Sequence, residues 1–174
     1  MKKQKGFTLI ELLVVIAVIS LLASIIFTTV QGVMKKARDA QRMSDLEQIR
    51  LALELFYLDK GYYPQSSCGW DCNGYRNSHT SSWDAFAADL APYMKTLPKD
   101  PINSSCSPWN IGCYSYSYGN VGRTIYKAQY DLTTQLEDPN NPQRCGLRHW
   151  RFYFNDLHPW CPDYSNQIYE ASPK

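Results

Sequence analysis

Lys5-Gly6-Phe7-Thr8-Leu9-Ile10-Glu11-Leu12-Leu13-Val14-Val15-Ile16-Ala17-Val18-Ile19-Ser20-Leu21-Leu22-Ala23-Ser24-Ile25-Ile26-Phe27 is the stretch that decides the fold. From Phe7 to Phe27 it carries a single charge, Glu11. As a helix rising ~1.5 Å per residue, the run is about 30 Å long, enough to cross a hydrocarbon core. Lys2, Lys3 and Lys5 stand before it, and positive residues on that flank favour keeping that end in the cytoplasm, with the rest of the chain outside. A secretory signal peptide needs small residues at the first and third positions before its cut. Ala23 suits the first, but Leu21 is large at the third and the apolar run continues past it. A plain signal anchor gives no reason for Glu11 to lie inside the run, and a core helix does not need so long an apolar stretch. A carboxylate in a spanning helix costs about 2.5–3.5 kcal/mol at the bilayer centre and less near an end. Glu11 is therefore a candidate functional residue that requires a positive partner.

Helical patterning continues beyond Phe27. Val30, Val33, Met34 and Ala37 recur at three- and four-residue steps, and Leu46, Ile49, Leu53 and Phe56 follow with Ala52 alongside. The other face is charged, with Lys35 and Asp39, and Arg50 and Glu54, at the i,i+4 spacing of helix ion pairs. Gly32 is the one glycine inside the pattern, and its helix penalty predicts a bend or local melting there. Lys60-Gly61 reads as the helix end and Tyr62-Tyr63-Pro64 as an extended exit. A free-standing coiled coil is disfavoured, because the stripe lasts less than ~4 clean heptads.

Lys5-Gly6-Phe7-Thr8-Leu9-Ile10-Glu11-Leu12-Leu13-Val14-Val15 closely resembles the type IV prepilin leader and processing site, shared by pilins and type II secretion pseudopilins. Leu58-Asp59-Lys60-Gly61-Tyr62-Tyr63-Pro64 also resembles the helix exit of pseudopilins. The resemblance implies cleavage between Gly6 and Phe7 by a membrane-embedded prepilin peptidase, and N-methylation of the new Phe7 amine. It also implies a role for Glu11 in assembly, meeting the terminal amine of a neighbouring subunit. In a low-dielectric helix bundle an ammonium and a carboxylate each lower the other's burial cost. An assembly ATPase and a polytopic platform membrane protein are implied as further partners.

Beyond the helix, 65–82 reads as a loop and Trp83 to about Tyr93 as a short helix capped by Ser81 with Asp84. Tyr114-Ser115-Tyr116-Ser117-Tyr118 alternates as a strand, with Asn120 and Gly122 in the following turn. Ile125–Leu132 and Trp150–Phe154 are predicted as two further strands. The fold class is α+β and pilin-like: a long amino-terminal helix packed through its second half on a small antiparallel sheet. The expected segments are 1–6 leader, 7–30 membrane-spanning and filament-core helix, 31–60 amphipathic continuation, and 61–174 disulfide-rich α+β domain.

All six cysteines, Cys68, Cys72, Cys106, Cys113, Cys145 and Cys161, lie in this last segment. An even count behind an export signal reads as a disulfide framework. Sequence alone leaves the pairing open. Short loops favour Cys68–Cys72, Cys106–Cys113 and Cys145–Cys161, the last stabilising by about 3 kcal/mol on the chain-entropy model. A zinc site is the alternative, disfavoured because no Cys-x2-Cys pair occurs.

Three of the 18 basic residues precede the apolar run, so the remainder carries no basic excess over its 16 acidic residues. Nothing in that balance points to nucleic acid. His79, His149 and His158 are scattered, and no Gly-x-Ser-x-Gly, P-loop or dinucleotide fingerprint occurs, so no catalytic residue and no cofactor is expected. The resemblance implies that calcium is held in a carboxylate-bearing loop of major pseudopilins, and Glu137, Asp138, Asn140 and Asn141 are the residues here that invite it. Their spacing departs from an EF-hand loop and reads as a solvated turn, so no metal is expected. The 13 tyrosines and 5 tryptophans read as core and cross-strand pairs rather than a ligand surface.

The leading expectation is a structural, non-enzymatic subunit of a type IV pilus-like extracellular filament, polymerising with copies of itself or with related chains. Before assembly it is a single-pass precursor in the cytoplasmic (inner) membrane with its globular domain outside. A pseudopilin of a type II secretion or DNA-uptake system is the first alternative. A membrane-anchored adhesin that never polymerises is the second.

Overall fold

The computed structural model describes residues 8–66, 75–106, 108, 112–120, 130–143 and 168–171, leaving aside the side chains of Ile25, Ile26, Thr28 and Thr29. The chain divides into two compact units, Met1–Ala37 and Arg38–Lys174.

The helix α1, Leu9–Lys60, begins in the first unit and ends in the second. It is continuous through Gly32, so the helix does not melt there. No side chain approaches the position that a Cβ would occupy there, and one glycine's cost of ~1 kcal/mol does not interrupt so long a ladder. In the first unit the helix stands with its apolar side chains exposed, from Leu9 through Phe27 to Val33 and Met34. Among the described residues no helix is long and apolar enough to cross a membrane.

The second unit is an α+β layer pair built on the rest of α1. Gly61 ends the helix in the left-handed region (φ 74°), and its N–H still bonds the Tyr57 carbonyl at 2.8 Å. A side chain is strained at that φ, which is why glycine follows the last turn. A second helix, α2, covers Ser82–Leu90. Ser81 precedes it but makes no side-chain capping bond, because it already has helical φ and ψ; the predicted Ser81 cap is not formed.

Four short strands form one antiparallel sheet in the order β1-β2-β3-β4: β1 Arg76–Asn77, β2 Ser117–Gly119, β3 Asp131–Gln135 and β4 Ile168–Glu170. The predicted Tyr114–Tyr118 strand shrinks to β2 because its first half bonds to loops instead of a strand. Ser104 N–H donates to the Tyr114 carbonyl at 2.7 Å and Ser78 N–H to the Tyr116 carbonyl at 2.9 Å. Of the predicted Ile125–Leu132 strand, Asp131 and Leu132 lie in β3. Thr133, Thr134 and Gln135 extend it, and their polarity hides a strand that is fully buried. Residues 121–129 and the predicted strand Trp150–Phe154 lie outside the described residues.

One core joins the elements of the second unit. Leu46, Ile49, Ala52, Leu53 and Phe56 of α1 meet Trp83, Phe86 and Leu90 of α2, together with Tyr116, Tyr118, Tyr130 and Leu132. Phe86 stacks on Tyr118 at 4.2 Å, Trp83 meets Phe86 edge-on at 5.2 Å, and Tyr63 meets Tyr130 at 4.7 Å. These described aromatics are core, as their alternation implied.

Candidate functional site

Two constellations carry charge where the fold cannot ignore it. The first opens α1. Thr8 precedes the first helical residue, and Glu11 stands three residues on, the spacing of a capping box. Glu11 Oε2 accepts the Thr8 N–H at 2.8 Å and the Thr8 hydroxyl at 2.6 Å, while Glu11 N–H donates to Thr8 Oγ1 at 3.3 Å. The carboxylate is thus folded over the positive end of its own helix and remains exposed. Chemically it is a preorganised acceptor for an ammonium, and such charge-assisted bonds are about twice as strong as neutral ones. Thr8 escaped attention in the sequence, although Thr8-Leu9-Ile10-Glu11 is itself a capping-box pattern. Gly6 and Phe7, the residues flanking the expected cut, lie outside the described residues.

The second constellation is an ionic centre in the second unit. Arg42 is fully buried and bidentate on Asp100, Nε to Oδ2 at 2.7 Å and Nη2 to Oδ1 at 3.1 Å. Its Nη1 donates to Asp39 Oδ1 at 2.9 Å and to Glu137 Oε1 at 2.7 Å. Arg38 binds Glu137 a second time, Nε to Oε1 at 2.7 Å and Nη2 to Oε2 at 2.5 Å. Asp39 accepts the backbone N–H groups of Glu137 and Asp138, both at 2.8 Å. The Tyr114 ring lies under the Arg42 guanidinium, 4.8 Å from centroid to Cζ. Burial alone would lower the pKa of Arg42, but Asp100 and Glu137 outweigh it and raise it. Burial would likewise raise Glu137, yet the hydrogen bonds and charges of Arg38 and Arg42 hold it below its ordinary range.

This centre corrects two expectations. The charged helix face read as carrying the pairs Lys35–Asp39 and Arg50–Glu54 has Asp39 and Arg50 buried, and its residues pair differently. Asp39 pairs with Arg42 and Arg50 with Glu47, each at i,i+3, while Glu54 accepts the Tyr63 hydroxyl at 3.1 Å. Nor is Glu137 part of a solvated turn: both its oxygens are taken by two arginines. Asp138 and Asn141 each bond a backbone N–H two residues on, as turn residues do. Among the described residues no group of three or more His, Cys, Asp or Glu side chains is placed to hold a metal ion.

Cys106 and Cys113 form a disulfide with a Cα–Cα distance of 5.6 Å. Gln135 of β3 is bonded to the loop they close, receiving Gly112 N–H at 2.7 Å and donating to the Pro108 carbonyl at 3.1 Å. Cys68, Cys72, Cys145 and Cys161 lie outside the described residues.

A long amino-terminal helix opened by an exposed carboxylate, with a small antiparallel sheet sharing a core with its later turns, defines the pilin-like class. Residues 1–27 match the prokaryotic N-terminal methylation motif, and residues 29–140 match the model of type II secretion system (T2SS) protein G. The chain belongs to the type II secretion system protein G family. The type II secretion system core protein G of Escherichia coli K12 is 34% identical over 115 residues, 64% of this chain and 78% of that protein. Its counterpart in Aeromonas hydrophila is 33% identical over 100 residues, covering 58% of this chain and 68% of its own length. That of Pectobacterium carotovorum is 31% identical over 110 residues, covering 63% and 69%. No solved structure matches the chain.

Proposed function

We propose that this chain is a pseudopilin, a structural subunit of the filament of a type II secretion system. Family membership moves the reading from the type IV pilus to the first alternative. The single observation that carries it is the protein G match over residues 29–140, which includes the ionic centre, the buried half of α1 and three of the four strands.

The precursor is held in the inner membrane by a single pass through the run from Phe7 to Phe27, with residues 61–174 outside. Prepilin peptidase removes residues 1–6, and the Phe7 amine is methylated. Glu11 then receives that amine from a neighbouring subunit as the filament grows, exchanging its Thr8 bonds for an intermolecular pair. An assembly ATPase and a platform protein supply work and guidance. The chain does no chemistry of its own.

A host strain lacking the chain tests this reading. The pseudopilin predicts that folded substrates remain in the periplasm while surface pili persist. Lost pili with secretion intact would return the chain to the type IV pilus. The cysteine-rich segments, which lean toward a specialised pilus subunit, keep that second reading in view.

A further inference from the structure

Arg42 is covered by two arms of the chain that a disulfide joins. The first arm, 100–106, supplies Asp100, which also accepts the Ile102 N–H at 2.8 Å and the Asn103 N–H at 3.2 Å. The second, 112–115, supplies the Tyr114 ring. Between the arms, Ser104 N–H donates to the Tyr114 carbonyl, Tyr114 N–H to Ser104 Oγ at 3.1 Å, and the Ser115 hydroxyl to the Cys106 carbonyl at 2.8 Å. The Cys106–Cys113 bond is the covalent link beside these three. Gln135, through Gly112 and Pro108, ties both sides of the link to β3, two residues before Glu137.

Neither arm belongs to a helix or a strand, and Asn103 is held at a positive φ of 49°. Loop hydrogen bonds each contribute little net stability, and such segments open locally. A covalent link across the arms removes most of the freedom that opening would gain. Opening also takes Asp100 from a buried guanidinium, so the link and the ionic centre favour the same closed state. Both cysteines are half-buried, within reach of an exchanging thiol.

We propose that Cys106–Cys113 is a redox latch on the Arg42 centre. Oxidised, it holds the Asp100 and Tyr114 arms shut on the guanidinium; reduced, it lets them open while the core around Leu46, Ile49 and Leu53 stays folded. Closing is a thiol–disulfide exchange with a disulfide-bearing oxidant. One thiolate of the pair attacks the oxidant's disulfide, and the second displaces the mixed disulfide. The oxidant leaves as a dithiol carrying the two electrons and two protons. A dithiol reductant reverses the step. The centre is therefore completed only in an oxidising compartment. The latch stands independently of the choice between secretion and pilus.

The test uses the full chain in detergent, with its other cysteines intact. Amide exchange is read at Ile102, Asn103, Glu137 and Asp138, whose N–H groups bond Asp100 and Asp39. The double variant Cys106→Ser/Cys113→Ser should speed exchange there about tenfold or more and leave Leu46, Ile49 and Leu53 unchanged. Coupling works in both directions, so Asp100→Asn should make the disulfide easier to reduce by about fivefold or more. That equilibrium is set with reduced and oxidised glutathione and read by alkylation and peptide mass. It keeps both cysteines and decides the matter if the serine variant fails to fold. Unchanged exchange at the four amides would overturn the latch, as would exchange that rises equally at Leu46, Ile49 and Leu53. So would a Cys106–Cys113 equilibrium that is the same in wild type and Asp100→Asn.

Discussion

Within the single helix α1, two regions solve opposite problems. From Leu9 to Ala37 the large apolar side chains that are described are exposed, and the one carboxylate is tied to the helix's own first turn. From Arg38 to Lys60 apolar Leu46, Ile49 and Leu53 are covered, and so are charged Asp39, Arg42 and Arg50. The difference does not lie in helix formation, which is continuous. It lies in who supplies the partner. For the second region the same chain supplies both apolar cover and counter-charges; for the first, the described residues supply neither. A helix that is apolar all round belongs among other helices or in lipid.

The largest effect that would separate the regions is at Arg42. Arg42→Ala should destabilise the second unit by about 3–5 kcal/mol, since it removes the arginine that pairs with buried Asp39 and Asp100 and one of the two arginines on Glu137. Denaturant unfolding of the full chain measures it, and a loss under ~1 kcal/mol would mean that the centre is solvated after all.

Next comes a paired comparison of two leucines on one helix. Leu53→Ala removes fully buried bulk and should cost about 2–5 kcal/mol. Leu13→Ala, on an exposed position, should leave unfolding of the second unit within about 0.5 kcal/mol. Equal effects would erase the distinction between the two regions.

A smaller effect depends on pH. Glu137 titrates below its unfolded pKa of ~4.3, so its contribution is present above that value and is lost as pH falls through the folded pKa. Glu137→Gln should therefore cost about 1.5–3 kcal/mol at neutral pH, as a charged buried bond does. That gap between variant and wild type should narrow steadily below pH ~4. A gap of constant size down to pH ~3 would show that the arginines do not depend on the Glu137 charge.

What could be read from the sequence followed from local chemistry. The helix, its end at Gly61, the second helix and the strand character near Tyr118 and Leu132 each rest on a short pattern of side chains. The buried face of α1 at Leu46, Ile49 and Leu53 was legible for the same reason. The ionic centre was not, because Arg42 meets Asp100 and Glu137 at separations of 58 and 95 residues, and no spacing rule reaches so far. Charges at i,i+4 look solvated until a loop from elsewhere covers them. β1 and β4 were missed because strands this short carry no periodicity, and Thr133-Thr134-Gln135 because polar residues are buried there. Glu11 stood out as a charge in an apolar run, while Thr8, its partner, was overlooked.

The most direct measurement concerns Glu11, at the start of the region whose partners must come from other subunits. Glu11→Ala in a host with an intact assembly system should insert, lose residues 1–6 and fold normally, as read by intact mass and by stability of the second unit. Filaments recovered by shearing, from cells that overproduce the chain, should fall at least about tenfold, since the loss of a charge-assisted bond repeats at every added subunit. Filaments in normal yield from that variant would contradict the pairing of Glu11 with a neighbour's amine.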